Sequence, residues 1–214
     1  MLRLAILLSL GALSLACADS RAEPNSTDAD EIPIGGLFNM KGPQAELDIP
    51  TYRGALLAVR EINEAGGVAG RSLRLIAEDG MSRPDKLAKA IEKVVRQTPD
   101  VAAFVGLSDT DMVRGAAPAA IAAQRVLLTS GATSPKLPGQ FANYLYLACF
   151  GDNVQAAAAA EFAFERLGAR SASILYDSTD TYTNLLQGYF RERFTSLGGQ
   201  IASAEAYSPG GPGR

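Results

Sequence analysis

The chain has 214 residues, with 20 lysines and arginines against 23 aspartates and glutamates, a formal net charge of −3, two cysteines and no histidine. This near-neutral, slightly acidic balance leaves no electrostatic footprint for nucleic acid or for a basic membrane-binding face. The lack of histidine removes Ser-His-Asp and Cys-His nucleophilic machinery and every histidine-based zinc site. A cofactor loop is not visible either: Ile34-Gly35-Gly36-Leu37 is not G-x-G-x-x-G, and Glu78-Asp79 without that loop is no ribose-binding signal. The chain therefore reads as a non-enzyme with no cofactor and no bound metal.

Met1 to Ala16 has one early cation, Arg3, then a nearly unbroken apolar segment from Leu4 to Leu15. It is too short for a permanent bilayer span and ends in small residues, so residues 1–16 read as an export signal and the mature chain as periplasmic or extracytoplasmic. Two processing readings stand side by side. Leu13-Ser14-Leu15-Ala16-Cys17 resembles the lipobox of bacterial lipoproteins, with Cys17 lipidated as the membrane anchor, although Ser14 stands where leucine is usual; Ala16-Cys17-Ala18 also fits an A-x-A site. The lipoprotein reading is preferred because Cys17 closes the apolar run and an exported chain seldom keeps a free thiol. It leaves Cys149 without a disulfide partner in this chain. Residues 17–31 are polar and read as a tether.

From there strands and helices alternate. Ile32 to Phe38 predicts a strand, and Thr51 to Ala65 a helix with Tyr52, Ala55, Leu56, Val59 and Ile62 at helical spacing. Leu73 to Ala77 is the second strand and Pro84 to Arg96 the second helix; Val101 to Val105 is the third strand, followed by an alanine-rich helix from Asp109 to Ala123, kinked or interrupted at Pro118. Val126 to Leu128 is the fourth strand. This β-α-β-α-β-α-β order argues for a parallel, doubly wound sheet.

Tyr144 to Phe150 predicts a further strand, after which the pattern restarts: helix Asn153 to Leu167, strand Ser171 to Tyr176, helix Thr181 to Leu197, strand Ile201 to Ala206. The fold class is α/β, with residues 32–143 as a first lobe, 144–207 as a partial second lobe and 208–214 as an irregular tail. So few elements cannot cover both faces of a second parallel sheet, and the chain is expected to stop inside that lobe.

The stretch that organises the chain is RVLLTSGATSP, Arg125 to Pro135. A buried-strand run stops at tiny and hydroxyl residues and then at Pro135, which makes a strand end opening into a concave loop. In open α/β sheets ligands bind outside the carboxyl ends of strands, where small residues let N–H groups and hydroxyls converge on an anion such as a carboxylate. The same residues also suit a simple tight turn with a helix cap.

Taken together, IPIGGLFNMKGP, GALLAVREINEAGGVAGRSLRLIAEDG, LLTSGATSPKL, ACFGDNVQAAAAAEFA and SILYDSTDTYTNLLQGYFRERFTSLGGQI resemble the type I periplasmic binding proteins of the Leu/Ile/Val-binding family, over about Ile32 to Ala206. The resemblance implies the periplasmic binding protein-like I fold: a two-lobed clamp that captures an amino acid, branched-chain in type, or a related small molecule and presents it to an ABC-type permease of the inner membrane. The alternative is a sensor of the same fold serving a signalling partner. By position, the resemblance assigns Ser108 and Thr133 to the ligand's carboxylate, the Gly131 carbonyl in the Gly131-Ala132 turn to its ammonium, Leu47 to the side-chain pocket and Tyr182 to closure from the far side. Gly131 replaces an alanine familiar in related sequences, which softens the loop. Family members also bring an acidic second-lobe residue to the ammonium, and no position here is assigned to it. Asp111 and Arg114, near the mouth, read as a solvated helix face.

Overall fold

The computed structural model describes residues 31–209. The export signal, most of the tether with Cys17, and residues 210–214 lie outside the described residues. Seven strands and six helices alternate: β1 (Glu31–Phe38), α1 (Ala45–Glu64), β2 (Ser72–Asp79), α2 (Pro84–Gln97), β3 (Ala103–Gly106), α3 (Thr110–Ala122), β4 (Val126–Thr129), α4 (Leu137–Gln140), β5 (Leu145–Leu147), α5 (Asp152–Glu161), β6 (Ser171–Asp177), α6 (Thr181–Ser196) and β7 (Gln200–Tyr207).

The first five strands form one all-parallel sheet in the order β2-β1-β3-β4-β5, and β6 pairs with β7 in a separate parallel pair. The strand that sequence analysis counts with the second lobe therefore belongs to the first sheet, because Leu145 to Leu147 pair with Leu127 to Thr129. The chain leaves β1 for β2 on one side and returns past it to β3 on the other, so β1 and β3 flank a topological switch point.

Successive side chains of a strand face opposite ways. Leu37, Phe104, Leu127 and Leu145 point to one face, where they pack with Leu87, Ile91 and Val94 of α2 and Val113, Ala116 and Ala120 of α3 in a single buried cluster. Phe38 points the other way and meets Tyr52 of α1, ring centroids 5.2 Å apart. One helix serves that second face.

Helix boundaries differ from expectation where proline misled. α1 starts six residues before Thr51 and runs through Pro50, since the bonds Asp48 N–H to Gln44 O (3.0 Å) and Leu47 N–H to Gln44 O (3.2 Å) wind the first turn ahead of the proline. α3 continues through Pro118 without interruption. Beyond α5 the chain widens its winding rather than stopping, in a π-helical turn over Phe162–Arg166. α6 lies on α5, with Phe194 stacked on Phe190 (5.4 Å) and edge-on to Phe164 (6.0 Å), and an Arg193–Glu161 ion pair at 2.6 Å.

Candidate functional site

Four chain segments meet outside the carboxyl ends of β1, β3 and β4. The β3 end turns sharply: Gly106 has φ 122°, and the buried Leu107 is held at φ 64°, a left-handed conformation that costs a branched side chain on the order of 1–2 kcal/mol. The Leu107 carbonyl holds that conformation in place by accepting from the Thr129 hydroxyl (2.7 Å) and the Gly131 N–H (3.3 Å). The two strand-end loops are thus locked together and Ser108 is turned into the space between them. Gly131 is pressed against it: a Cβ at Gly131 would lie 3.0 Å from the Ser108 Cβ. Loop softness is therefore not what glycine supplies here; it supplies close approach.

From the β1 side, α1 is anchored by its buried Asp48, whose Oδ2 accepts from both the backbone and the side-chain N–H of Asn39 at 2.8 Å. This fixes Gln44, Leu47 and Thr51 along one rim. From the far side, Asp180 caps α6 by accepting from Thr183 N–H (2.9 Å), and the Tyr182 hydroxyl accepts from Gln155 Nε2 at 3.0 Å.

These segments enclose a cavity of about 580 Å³. Ser108, Gly131, Thr133, Leu47 and Tyr182, the positions named from sequence, all line it. Ala132 does not: it is buried beneath, its N–H given to Thr129 Oγ1 (3.2 Å) and its carbonyl taken by the Cys149 thiol (3.5 Å), so neither group is free for a ligand. Leu47 is on the first turn of α1 rather than in a loop. Among the described residues no group donates to the Gly131 carbonyl.

Asp109 and Asp180 also line the cavity, and neither was assigned to a site from sequence. Each caps through one carboxylate oxygen: Asp109 Oδ1 accepts from Asp111 and Met112 N–H (2.9 and 3.0 Å), and Asp180 uses Oδ2. Burial pushes the Asp109 carboxyl above the usual range, the Met112 amide pulls it back, and Asp111 and Asp180 add repulsion. Asp152, at the start of α5, is fully buried with neither carboxylate oxygen in a regular hydrogen bond. Burial raises its pKa, the Thr133 hydroxyl opposes, and Asp180 again adds to the rise. The Asp152 N–H meanwhile donates to the Thr133 carbonyl at 2.9 Å. Gln155, one turn along α5, has no sequence signal that would have found it. Asp111 is not simply solvated: its Oδ1 accepts from the Thr181 hydroxyl of α6 at 2.7 Å.

The site is thus dipolar. Hydroxyls and amides converge at the β3 and β4 ends, and the carboxylates of Asp109 and Asp180 at the starts of α3 and α6; the buried Asp152 of α5 does not line the cavity.

A family model described as periplasmic binding protein matches residues 31–213. The chain belongs to that family. Among relatives of this periplasmic binding protein is the "Amino acid binding protein" of Pseudomonas aeruginosa, 26% identical over 185 residues, covering 86% of this chain and 49% of the relative. A second, the "Leucine-, isoleucine-, valine-, threonine-, and alanine-binding protein" of the same organism, is 28% identical over 152 residues and covers 71% of this chain and 40% of the relative. The branched-chain amino acid transporter substrate-binding protein LivJ of Streptococcus pneumoniae, solved with isoleucine, superposes with TM-score 0.77 at 28% identity, covering 84% of this chain and 50% of that one. The architecture is that of a type I periplasmic binding protein with a partial second sheet. The chain spans about half the length of the curated relatives it matches. Among the described residues no helix is long and apolar enough to cross a membrane.

Proposed function

We propose that this chain is the gripping part of an extracytoplasmic solute-binding receptor that captures an amino acid, branched-chain aliphatic in type, for delivery to an ABC-type permease. On this reading the five-stranded unit is the first lobe, the β6–β7 unit begins the second, and Cys17 carries the lipid anchor. The protein performs no chemistry on its ligand.

The dipolar cavity is the observation that supports the reading. A zwitterion taken out of water needs both charges satisfied. Ser108 and Thr133 offer hydroxyls to a carboxylate without adding a buried charge, while the free Gly131 carbonyl and the uncommitted oxygens of Asp109 and Asp180 suit an ammonium. Leu47, more than half exposed on the rim, offers apolar surface for an aliphatic side chain. The ligands named for the relatives, isoleucine for one and leucine, isoleucine, valine, threonine and alanine for the other, are zwitterions of this kind.

The test is an amide-resolved NMR titration of the chain with L-leucine, alongside isoamylamine and isocaproate, which each lack one of the two charged groups. Leucine is expected to shift Ser108, Gly131, Thr133 and Tyr182 saturably, and the analogues to bind at least about tenfold more weakly. Thr133→Ala should weaken leucine by about 1 kcal/mol or more, the scale of a hydrogen bond to a charged group. Equal shifts from all three compounds, or shifts elsewhere on the chain, overturn the reading.

A further inference from the structure

A second cavity, of about 210 Å³, shares Thr110 with the ligand cleft and is lined besides by Arg114, Ser134, Lys136, Gln140 and Thr181. Its walls come from both structural units. Thr110 and Arg114 lie on the first turns of α3, Ser134, Lys136 and Gln140 on and before α4, and Thr181 on the first turn of α6.

The lining has cations and unspent donors. Lys136 is exposed and pairs with no acid among the described residues, and the nearest acid to Arg114 is Asp111 at 3.7 Å, beyond hydrogen-bonding distance. Three negative groups oppose an anion here: Asp111, engaged by the Thr181 hydroxyl at 2.7 Å, and Asp109 and Asp180, which stand next to Thr110 and Thr181 and line the neighbouring cleft. Thr110 is only 3% exposed and its hydroxyl has no hydrogen-bond partner. A buried polar group without a partner demands an explanation, and an absent ligand is one. Ser134, 2% exposed, lies beside it in the lining. The N-terminal ends of α3 and α6, helices of 13 and 16 residues, lie on the same side, each with its positive field offset by its capping aspartate, Asp109 or Asp180.

We propose that this cavity binds a small oxyanion of the phosphate or sulfate type. Arg114 and Lys136 supply the charge, the guanidinium as a planar fork and the ammonium as a point charge, and the buried Thr110 hydroxyl supplies a donor that nothing else uses. The bound anion bridges the five-stranded unit to α6, across the seam that the Asp111–Thr181 bond already spans. Thr110 lines both cavities, and any coupling between them runs equally in both directions. The site stands on its own residues and does not depend on which ligand fills the cleft.

The experiment is a titration of the full chain with inorganic phosphate, followed by amide NMR against chloride at matched ionic strength. Phosphate is expected to move the amides of residues 110–112 and 181–183 together and saturably, with chloride leaving them in place. Arg114→Gln with Lys136→Gln should weaken phosphate at least tenfold, and Lys136→Gln alone about threefold. Both side chains are solvent-facing, so the variants keep the core, and the same spectra report their fold. A phosphate response equal to that of chloride, undiminished binding by the double variant, or shifts confined to one of the two helix ends each overturns the proposal.

Discussion

The two faces of the five-stranded sheet are built from the same strands and end up in different states. On the α2/α3 face the rows Phe104-Leu127-Leu145 and Leu37-Thr129 are closed to solvent by two helices packed side by side. On the other face the row Val105-Leu128-Tyr146 has, among the described residues, α1 near one end, and Leu128 and Tyr146 remain 39% and 51% exposed. α1 itself leaves Leu56, Leu57 and Ile62 exposed, and its apolar stripe is less sharply drawn than that of α2. Amphipathic periodicity shows that a helix has an apolar stripe; how much of the stripe is covered depends on what is laid against it. The site sits where the closed face ends, so its loops rest on the part of the molecule that is fully packed.

The largest expected effect tests that contrast directly. Phe104→Ala removes a fully buried ring from the closed face and should cost about 3–5 kcal/mol in urea unfolding, from lost transfer energy and the cavity left behind. Leu128→Ala, next door in the same sheet, should cost about 1 kcal/mol or less, because much of its side chain is already in water. Equal losses at the two positions would mean that the open face is covered in solution and that the contrast does not exist.

A smaller effect asks whether closed-face packing reaches the cleft. Thr129 lies at the top of that face and joins the two strand-end loops, its hydroxyl donating to Leu107 and accepting from Ala132. Thr129→Val keeps the shape and removes both bonds, leaving buried groups unpaired, for a loss of about 1–3 kcal/mol. The same variant should broaden the amide resonances of Ser108 and Gly131, which the Leu107 carbonyl holds in place. A stability loss with unchanged loop resonances would separate core from site.

Much of this was legible in the sequence, for identifiable reasons. Strands that are buried on both faces or end in Gly and Ser announce themselves, and four of the first five were placed within two residues of their bounds at both ends. The loop 130–133 was readable as a strand end opening into a loop, because small and hydroxyl residues followed by proline stop an apolar run. What failed were features set by tertiary partners. Pro50 imitates a helix start, and only the Asn39–Asp48 pairing shows that the helix begins earlier. β5 carries no mark of which sheet it joins. Ala132 sits among four small residues, and its burial depends on Thr129 and Cys149 taking its backbone groups. Asp109 and Asp180 carry only a local signal, that of a helix cap, whereas lining a cleft requires two distant helix starts to face each other.

The smallest effect has the opposite sign. Asp152 is a buried carboxyl whose pKa is raised by desolvation, and the Thr133 hydroxyl only partly offsets this. A carboxyl with a raised folded-state pKa favours folding while protonated. Its contribution is fully present below the unfolded value of about 3.9 and is lost as the pH rises through the folded value. At neutral pH the wild-type chain therefore holds an unfavourable buried charge beside the cleft. Asp152→Asn removes the charge and keeps the shape. It should raise Tm at pH 7 by about 2–4 °C, the shift of roughly 1 kcal/mol in a chain of this size, and the difference should vanish as the pH is lowered toward 3.5. If the acid is retained because its charge assists an ammonium ligand, the stabilised variant should also bind leucine more weakly at pH 7, a stability gained against function. A Tm that falls in the asparagine variant at every pH would show instead that the Asp152 carboxylate is paired in solution, and that the seam beyond the closed face is packed as tightly as the face itself.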